Sequence, residues 1–322
     1  MTTASEPLAI DLAGVPLRNP VLLAAGTAGY IDEMAGVLDL ARVGGVVTKS
    51  ITKEPRAGNE TWRVVETPVG MLNAIGLANV GAKIFCDQHA PKAASAATTI
   101  IGSIAGHSID DYLTVATMFD ERAAITAVEI NVSCPNVSDG ASFGESPAAL
   151  RELIGALRRV LSQTKLIVKL PPVTTGDGEV SGIVALARAA IDAGADALTI
   201  ANTVPAMAID VKTREPKLAN RTGGLSGPAV HPIAVRLIHL VYQNATKDAG
   251  VPIIGAGGVM NWRDAAEFIL AGACAVEMGT ALFVDPRSPI RVVEGLRRWV
   301  RQQGAENISD LVGAVRGTEQ ST

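Results

Sequence analysis

Aromatic side chains make up only 3% of this 322-residue chain, charged ones 19%, and cysteine occurs three times. Each scarcity removes a class of protein. Cys86, Cys134 and Cys274 lie far apart with no C-x-x-C pair. That argues against a disulfide framework or a cysteine zinc site and fits a reducing cytoplasm. The histidines form no H-E-x-x-H or similar cluster, so no catalytic metal is expected. Charge gives no basic stripe: 28 Lys and Arg against 32 Asp and Glu leave a net charge of −4, a poor footprint for nucleic acid. Mean hydropathy is positive, +0.28, yet no uninterrupted apolar run reaches the ~18 residues of a membrane span. Long apolar stretches such as 185–200 are broken by charges. Residues 1–7 are polar and lack a basic-then-apolar signal pattern. The expectation is a cytoplasmic protein.

What is abundant points to a large core. Hydrophobic residues make up 48% and glycines number 32, which excludes wholesale disorder. Short β-branched runs recur at 21–25, 45–49, 99–104, 127–131, 166–170, 197–201, 252–255 and 275–278. They are almost continuously apolar, as for parallel strands buried on both faces. Amphipathic Ala/Leu/Arg segments at 147–161, 180–193, 228–244 and 263–271 lie between them. Alternating βα units predict an α/β fold, a (β/α)8 TIM barrel spanning 1–322 as one domain, with a doubly wound open sheet as the alternative. Two connections, 50–98 and 202–227, are far longer than usual. A Gly/Ser-rich connection at 135–146 is a third irregular segment. The two long ones follow strands, which puts them at the C-terminal face, where barrels keep their chemistry.

Several strand ends carry chemistry. One strand finishes in Gly257-Gly258 and the next in Gly279-Thr280; such turns let backbone N–H groups approach a phosphate. Gly224-Leu-Ser-Gly-Pro offers a third wall. Lys49 and Lys169 end otherwise apolar strands, and burying a lysine there demands an anionic partner unless it snorkels to the rim. Asn131 and Asn202 close two more strands, and Asn73 sits in the first insertion. Their amides suit a planar heterocycle with C=O and N–H edges, although amides also tie loops together. Cys134 follows a strand by three residues, on the catalytic face, where a thiol can exchange protons with a substrate. Cys86 and Cys274 fit apolar surroundings instead.

Asn131-Val-Ser-Cys-Pro-Asn-Val, Gly70-Met-Leu-Asn-Ala-Ile-Gly-Leu, Leu218-Ala-Asn-Arg-Thr-Gly-Gly-Leu-Ser-Gly-Pro-Ala and Ile254-Gly-Ala-Gly-Gly-Val together resemble the dihydroorotate dehydrogenase family. The resemblance runs from about Leu8 to the C-terminal helix. It implies an FMN-dependent barrel that oxidises dihydroorotate to orotate in pyrimidine synthesis. By resemblance, Cys134 is the base that takes the C5 proton. FMN would be lined by Ala25, Lys49, Ser50, Ser103, Asn131 and Lys169 on one side. Ala201, Gly227, Gly257, Gly258, Gly279 and Thr280 would complete its site. Dihydroorotate would meet Lys49, Asn73, Ala74, Ile75, Gly76 and Leu77, with Asn131, Asn202 and Thr203.

Cysteine as base resembles the soluble class. Asn73-Ala-Ile-Gly-Leu and Thr222-Gly-Gly-Leu-Ser-Gly-Pro resemble its NAD-linked type, which implies a homodimer core and a second subunit carrying FAD and an iron–sulfur cluster. Thr48-Lys-Ser, Ser103-Ile-Ala-Gly and Lys169-Leu-Pro-Pro resemble the fumarate-using homodimer instead; the NAD-linked type usually has asparagine where Ser103 stands, and Ala25 replaces a common serine. A pyrimidine reductase resembling part of dihydropyrimidine dehydrogenase and a non-catalytic flavin-binding scaffold are the remaining alternatives.

Overall fold

The computed structural model describes residues 6–133 and 143–316. Eight parallel strands close into a barrel. They are β1 (Val21–Leu23), β2 (Gly45–Val47), β3 (Thr99–Ile104), β4 (Ile125–Asn131), β5 (Lys165–Leu170), β6 (Ala197–Ile200), β7 (Ile253–Ala256) and β8 (Ala275–Met278). Each pairs with its neighbour in chain order, and β8 pairs back onto β1 through Val276↔Val21 and Met278↔Leu23. That last pairing decides between the two architectures expected: an open doubly wound sheet has no such closure. All eight apolar runs became barrel strands, because helices cover one face and the barrel interior the other.

Six longer helices pack outside: α1 (Ile109–Asp120), α2 (Pro147–Val160), α3 (Gly182–Asp192), α4 (His231–Val241), α5 (Trp262–Ala271) and α6 (Ser288–Gln302). In α2 the buried residues Leu150, Leu153, Ile154 and Leu157 fall at helical spacing, Ser146 caps the first turn and Pro147 fits where no N–H is needed. The connection from β1 to β2 breaks the pattern, with only a short 3₁₀ turn, Leu40–Arg42.

At the N-terminal end of the barrel an antiparallel hairpin pairs Ile10–Leu12 with Val15–Leu17. Its turn at Gly14 faces Lys165, the first residue of β5, and Leu8, Leu12 and Leu17 are buried there. At the opposite end the two long insertions pair with each other. Val64–Thr67 and Gly70–Asn73 from the first, and Gly223–Ser226 and Val204–Ala206 from the second, form one four-stranded antiparallel sheet. Asn73 pairs with Gly224, and a small core of Leu72, Ala74 and Leu218 packs this sheet. The lengths of the insertions predict their position, not their mutual pairing.

Candidate active site

A cavity of about 270 Å³ opens at the C-terminal ends of the strands, bounded by the barrel and by the insertion sheet. Its lining draws together nearly every residue singled out from sequence, and its two ends differ in chemistry.

One end is built from turns. Gly227, Gly257, Gly258, Gly279 and Thr280 line it, with Val230 just before α4. Gly258 has φ 73°, and a Cβ there would lie 2.6 Å from the Gly227 carbonyl oxygen and 3.1 Å from His231 N, so only glycine fits. The 11-residue helix α4 directs its N-terminus at the same place. Glycine turns and a helix N-terminus form a cradle for a phosphate. The cradle is braced from behind. His231 contacts the Gly257 carbonyl through Nδ1 at 3.1 Å and the Glu267 carboxylate through Nε2 at 2.9 Å, stacked on Phe268. The Thr280 hydroxyl bonds the Ser226 hydroxyl at 2.8 Å, tying the insertion sheet to the β8 turn.

The other end is built from amides and a cation. Asn202 Nδ2 donates to Asn131 Oδ1 at 3.1 Å and to Ser133 Oγ at 3.0 Å, while Asn202 Oδ1 accepts from Thr203 N. Asn73 Nδ2 donates to the Gly224 carbonyl at 3.2 Å. The amides therefore tie the strand ends together as well as lining the cavity, which fixes their orientation in advance. Lys49 lines the same end, half-buried, and no carboxylate pairs with it among the described residues. Burial, and then the Arg63 charge, lower its ammonium pKa below the ordinary lysine value.

Between the two ends, the floor holds Lys169. It does not snorkel to the rim: its ammonium meets Glu277 Oε2 at 2.6 Å and Glu129 Oε1 at 3.3 Å, all three residues buried. Burial works against its charge, but the Glu129 and Glu277 carboxyl groups outweigh that and hold its pKa above the ordinary value. These two carboxyls were missed in the sequence. The signal was present, since each is a charged residue inside an apolar strand.

Three expected lining residues stand elsewhere. Ser103 is fully buried behind the wall, bonded to Ser50 Oγ at 2.8 Å, while Ser50, also expected there, lines the cavity. Ala74 turns into the small core of the insertion sheet. Gly76 abuts Asn59, where a Cβ would come within 2.6 Å. Ile75 and Leu77 on either side line the cavity, as do Ala25, Ala201, Asn202 and Thr203. Cys134 lies outside the described residues, as does most of the Gly/Ser-rich connection after it. Cys86 is buried, and burial pushes the Cys274 thiol up to about 12, so neither is a nucleophile. Among the described residues no three His, Cys, Asp or Glu side chains gather as a metal site.

The sequence profile of the family described as dihydroorotate dehydrogenase matches residues 7–300. A protein of Pelobacter propionicus named dihydroorotate dehydrogenase B (NAD(+)), catalytic subunit, is 45% identical over 309 residues, covering 96% of this chain and 98% of its own. The protein of the same name from Bacteroides thetaiotaomicron is 41% identical over 309 residues, with the same coverage. The crystal structure of DHODH from Eimeria tenella in complex with ferulenol is similar in fold, with a TM-score of 0.79 at 21% identity, over 98% of this chain and 90% of that one.

Proposed function

The chain belongs to the dihydroorotate dehydrogenase family, and from that premise we propose that it oxidises (S)-dihydroorotate to orotate with FMN in the barrel mouth. Its electrons pass to NAD⁺ through a partner subunit. The carrying observation is the two-ended cavity: a glycine and helix cradle for a phosphate at one end, amides and an unmatched lysine for an anionic heterocycle at the other. We read residues 1–322 as a single FMN-binding unit working in the cytoplasm. Among the described residues no helix is long and apolar enough to cross a membrane.

FMN, when bound, supplies the acceptor for the C6 hydride of dihydroorotate. The Cys134 thiolate, three residues beyond Asn131, takes the C5 proton onto Sγ; an ordinary thiol pKa of about 8.5 asks for mildly alkaline pH. The Lys49 ammonium draws in the substrate carboxylate, whose charge would offset the burial and the Arg63 repulsion that lower its pKa. Asn73, Asn131 and Asn202, already oriented by their bonds to the protein, take the C=O and N–H edges of the ring. Lys169 presents its ammonium from the floor, held in place there by Glu277 and Glu129. Gly227, Gly257, Gly258, Gly279 and Thr280 hold the cofactor phosphate.

The relatives named as catalytic subunits of an NAD(+) enzyme support the NAD-linked reading and a separate electron-transfer subunit. We assign that subunit FAD and an iron–sulfur cluster, and this chain a homodimer core. Phe283, on the cavity lining, is 59% exposed beside the exposed Val284, an apolar edge suited to a docked electron carrier. The serine at 103, which favoured the fumarate-linked type, stands behind the wall and not on it, so it bears little on the acceptor.

The test is anaerobic. Dihydroorotate should bleach the flavin of the purified chain, dihydrouracil should not, and NAD⁺ should restore the colour quickly only with the second subunit present. Rapid turnover with fumarate would overturn the acceptor, and a flavin unaffected by dihydroorotate would leave a scaffold. Cys134→Ala should keep FMN yet slow bleaching by about 10² to 10⁴.

A further inference from the structure

The ionic groups in the cavity floor do not balance in their usual forms. Lys169 on β5, Glu129 on β4 and Glu277 on β8 are all buried. Fully ionised, they would hold two negative charges against one positive. An uncompensated buried charge is strongly disfavoured.

Hydrogen bonds separate the two carboxyls. Glu129 accepts on both oxygens: Lys169 Nζ donates to Oε1 at 3.3 Å, and the Thr199 hydroxyl donates to Oε2 at 2.8 Å. Glu277 accepts from Lys169 on Oε2 at 2.6 Å, while its Oε1 is buried with no partner. An ionised oxygen there is an acceptor with nothing to accept. A protonated Glu277 gains a donor, and the Glu129 side chain is close enough to accept from it. Charge balance and the orphaned oxygen call for the same proton. Burial, then the Glu129 charge, hold the Glu277 carboxyl well above its usual range against the opposing pull of Lys169. The other ionisable side chain on the cavity wall, Lys49, is a cation at the substrate end.

We propose that Glu277 is a positioning residue that carries a proton: it donates to Glu129 and accepts from Lys169, so that the three form a neutral cluster holding the ammonium at the cavity floor. This deepens the reading above, and rests on it only where the flavin is concerned. A flavin held in this cavity would have at its floor a lysine whose charge Glu129 already matches.

The test is a double-mutant cycle of Glu129→Gln and Glu277→Gln in the full chain as purified. If one proton is shared, either glutamine alone leaves a single ionised carboxyl against Lys169. The midpoint potential of the bound flavin should then hardly move in either single variant. The double variant leaves Lys169 unmatched, and the potential should rise well beyond the sum of the singles. If both carboxyls are ionised, each glutamine alone raises the potential and the double variant is additive, which overturns the proposal. Infrared difference spectra read the proton directly and without reference to the flavin. Wild type should show the C=O stretch of a buried protonated carboxyl that both single variants lose. That band is read on wild type, so its absence overturns the proposal even if the double variant does not fold. The band in a protein that holds no FMN would uphold the shared proton while removing the cofactor assignment above.

Discussion

Lys49 and Lys169 look alike in the sequence, each a lone cation closing an apolar strand, and the folded chain treats them in opposite ways. Lys169, at the floor, is enclosed by Glu129 and Glu277, and its pKa is raised. Lys49, at the mouth, faces Arg63 and no carboxylate among the described residues, and its pKa is lowered. The floor is neutralised by the protein itself. The mouth has its charge left unmatched, which costs stability and creates affinity for whatever anion restores the balance. On the proposed function, the difference separates a residue that supports the cofactor from one that selects the substrate.

The largest effect should come from breaking the floor. Lys169→Met strands the acidic pair, and removing one partner of a buried ion pair costs about 3–5 kcal/mol. A large fall in Tm and loss of FMN are expected. Lys49→Met should do the reverse, leaving Tm unchanged or raised while KM for dihydroorotate rises. A lost charge-assisted hydrogen bond of about 1.5–3 kcal/mol corresponds to roughly ten- to a hundredfold. Calorimetry and steady-state kinetics on both variants would check this; equal destabilisation of the two would erase the distinction.

The phosphate cradle sharpens the contrast, because it should fail without moving either lysine. Gly258→Val puts a branched side chain where a Cβ already lies 2.6 Å from the Gly227 carbonyl, at a φ of 73° that valine avoids. FMN should wash out on gel filtration while circular dichroism keeps the barrel signature. Stoichiometric FMN retained through the column would move the phosphate to another part of the cavity.

Much of this arrangement could be read from local pattern, and the exceptions share a cause. Barrel strands are buried on both faces, so β4 and β8 announce themselves as apolar runs wherever their partners lie. Glycine ends at 257–258 and 279 were legible because a turn depends on its own residues. The pairing of Asn73 with Gly224 was not, since register between segments so far apart leaves no local trace. Glu129 and Glu277 escaped for the same reason. Lys169 demanded an anion, but only closure of the barrel brings carboxyls from β4 and β8 to β5. Ser103 misled because a strand end predicts nearness to the cavity and not which way a hydroxyl turns.

The smallest effect is a matter of pH. Burial and Arg63 lower the Lys49 pKa from 10.5, so the folded chain gives up that proton earlier than the unfolded one. Between the two values the unfolded state binds more protons, and the Lys49 contribution to stability increases with pH. On the proposed function the Lys49 ammonium captures the substrate carboxylate, so kcat/KM for dihydroorotate should decline over the same window. Lys169 runs the other way: its raised pKa gives a stabilisation present below 10.5 and lost only as pH climbs through the folded value. Lys49→Arg keeps a cation at every accessible pH. It should therefore remove the alkaline decline in kcat/KM and the accompanying gain in stability together. A pH–rate profile beside urea unfolding at matched pH would measure both. If the decline persists in the arginine variant, the titrating group is not Lys49.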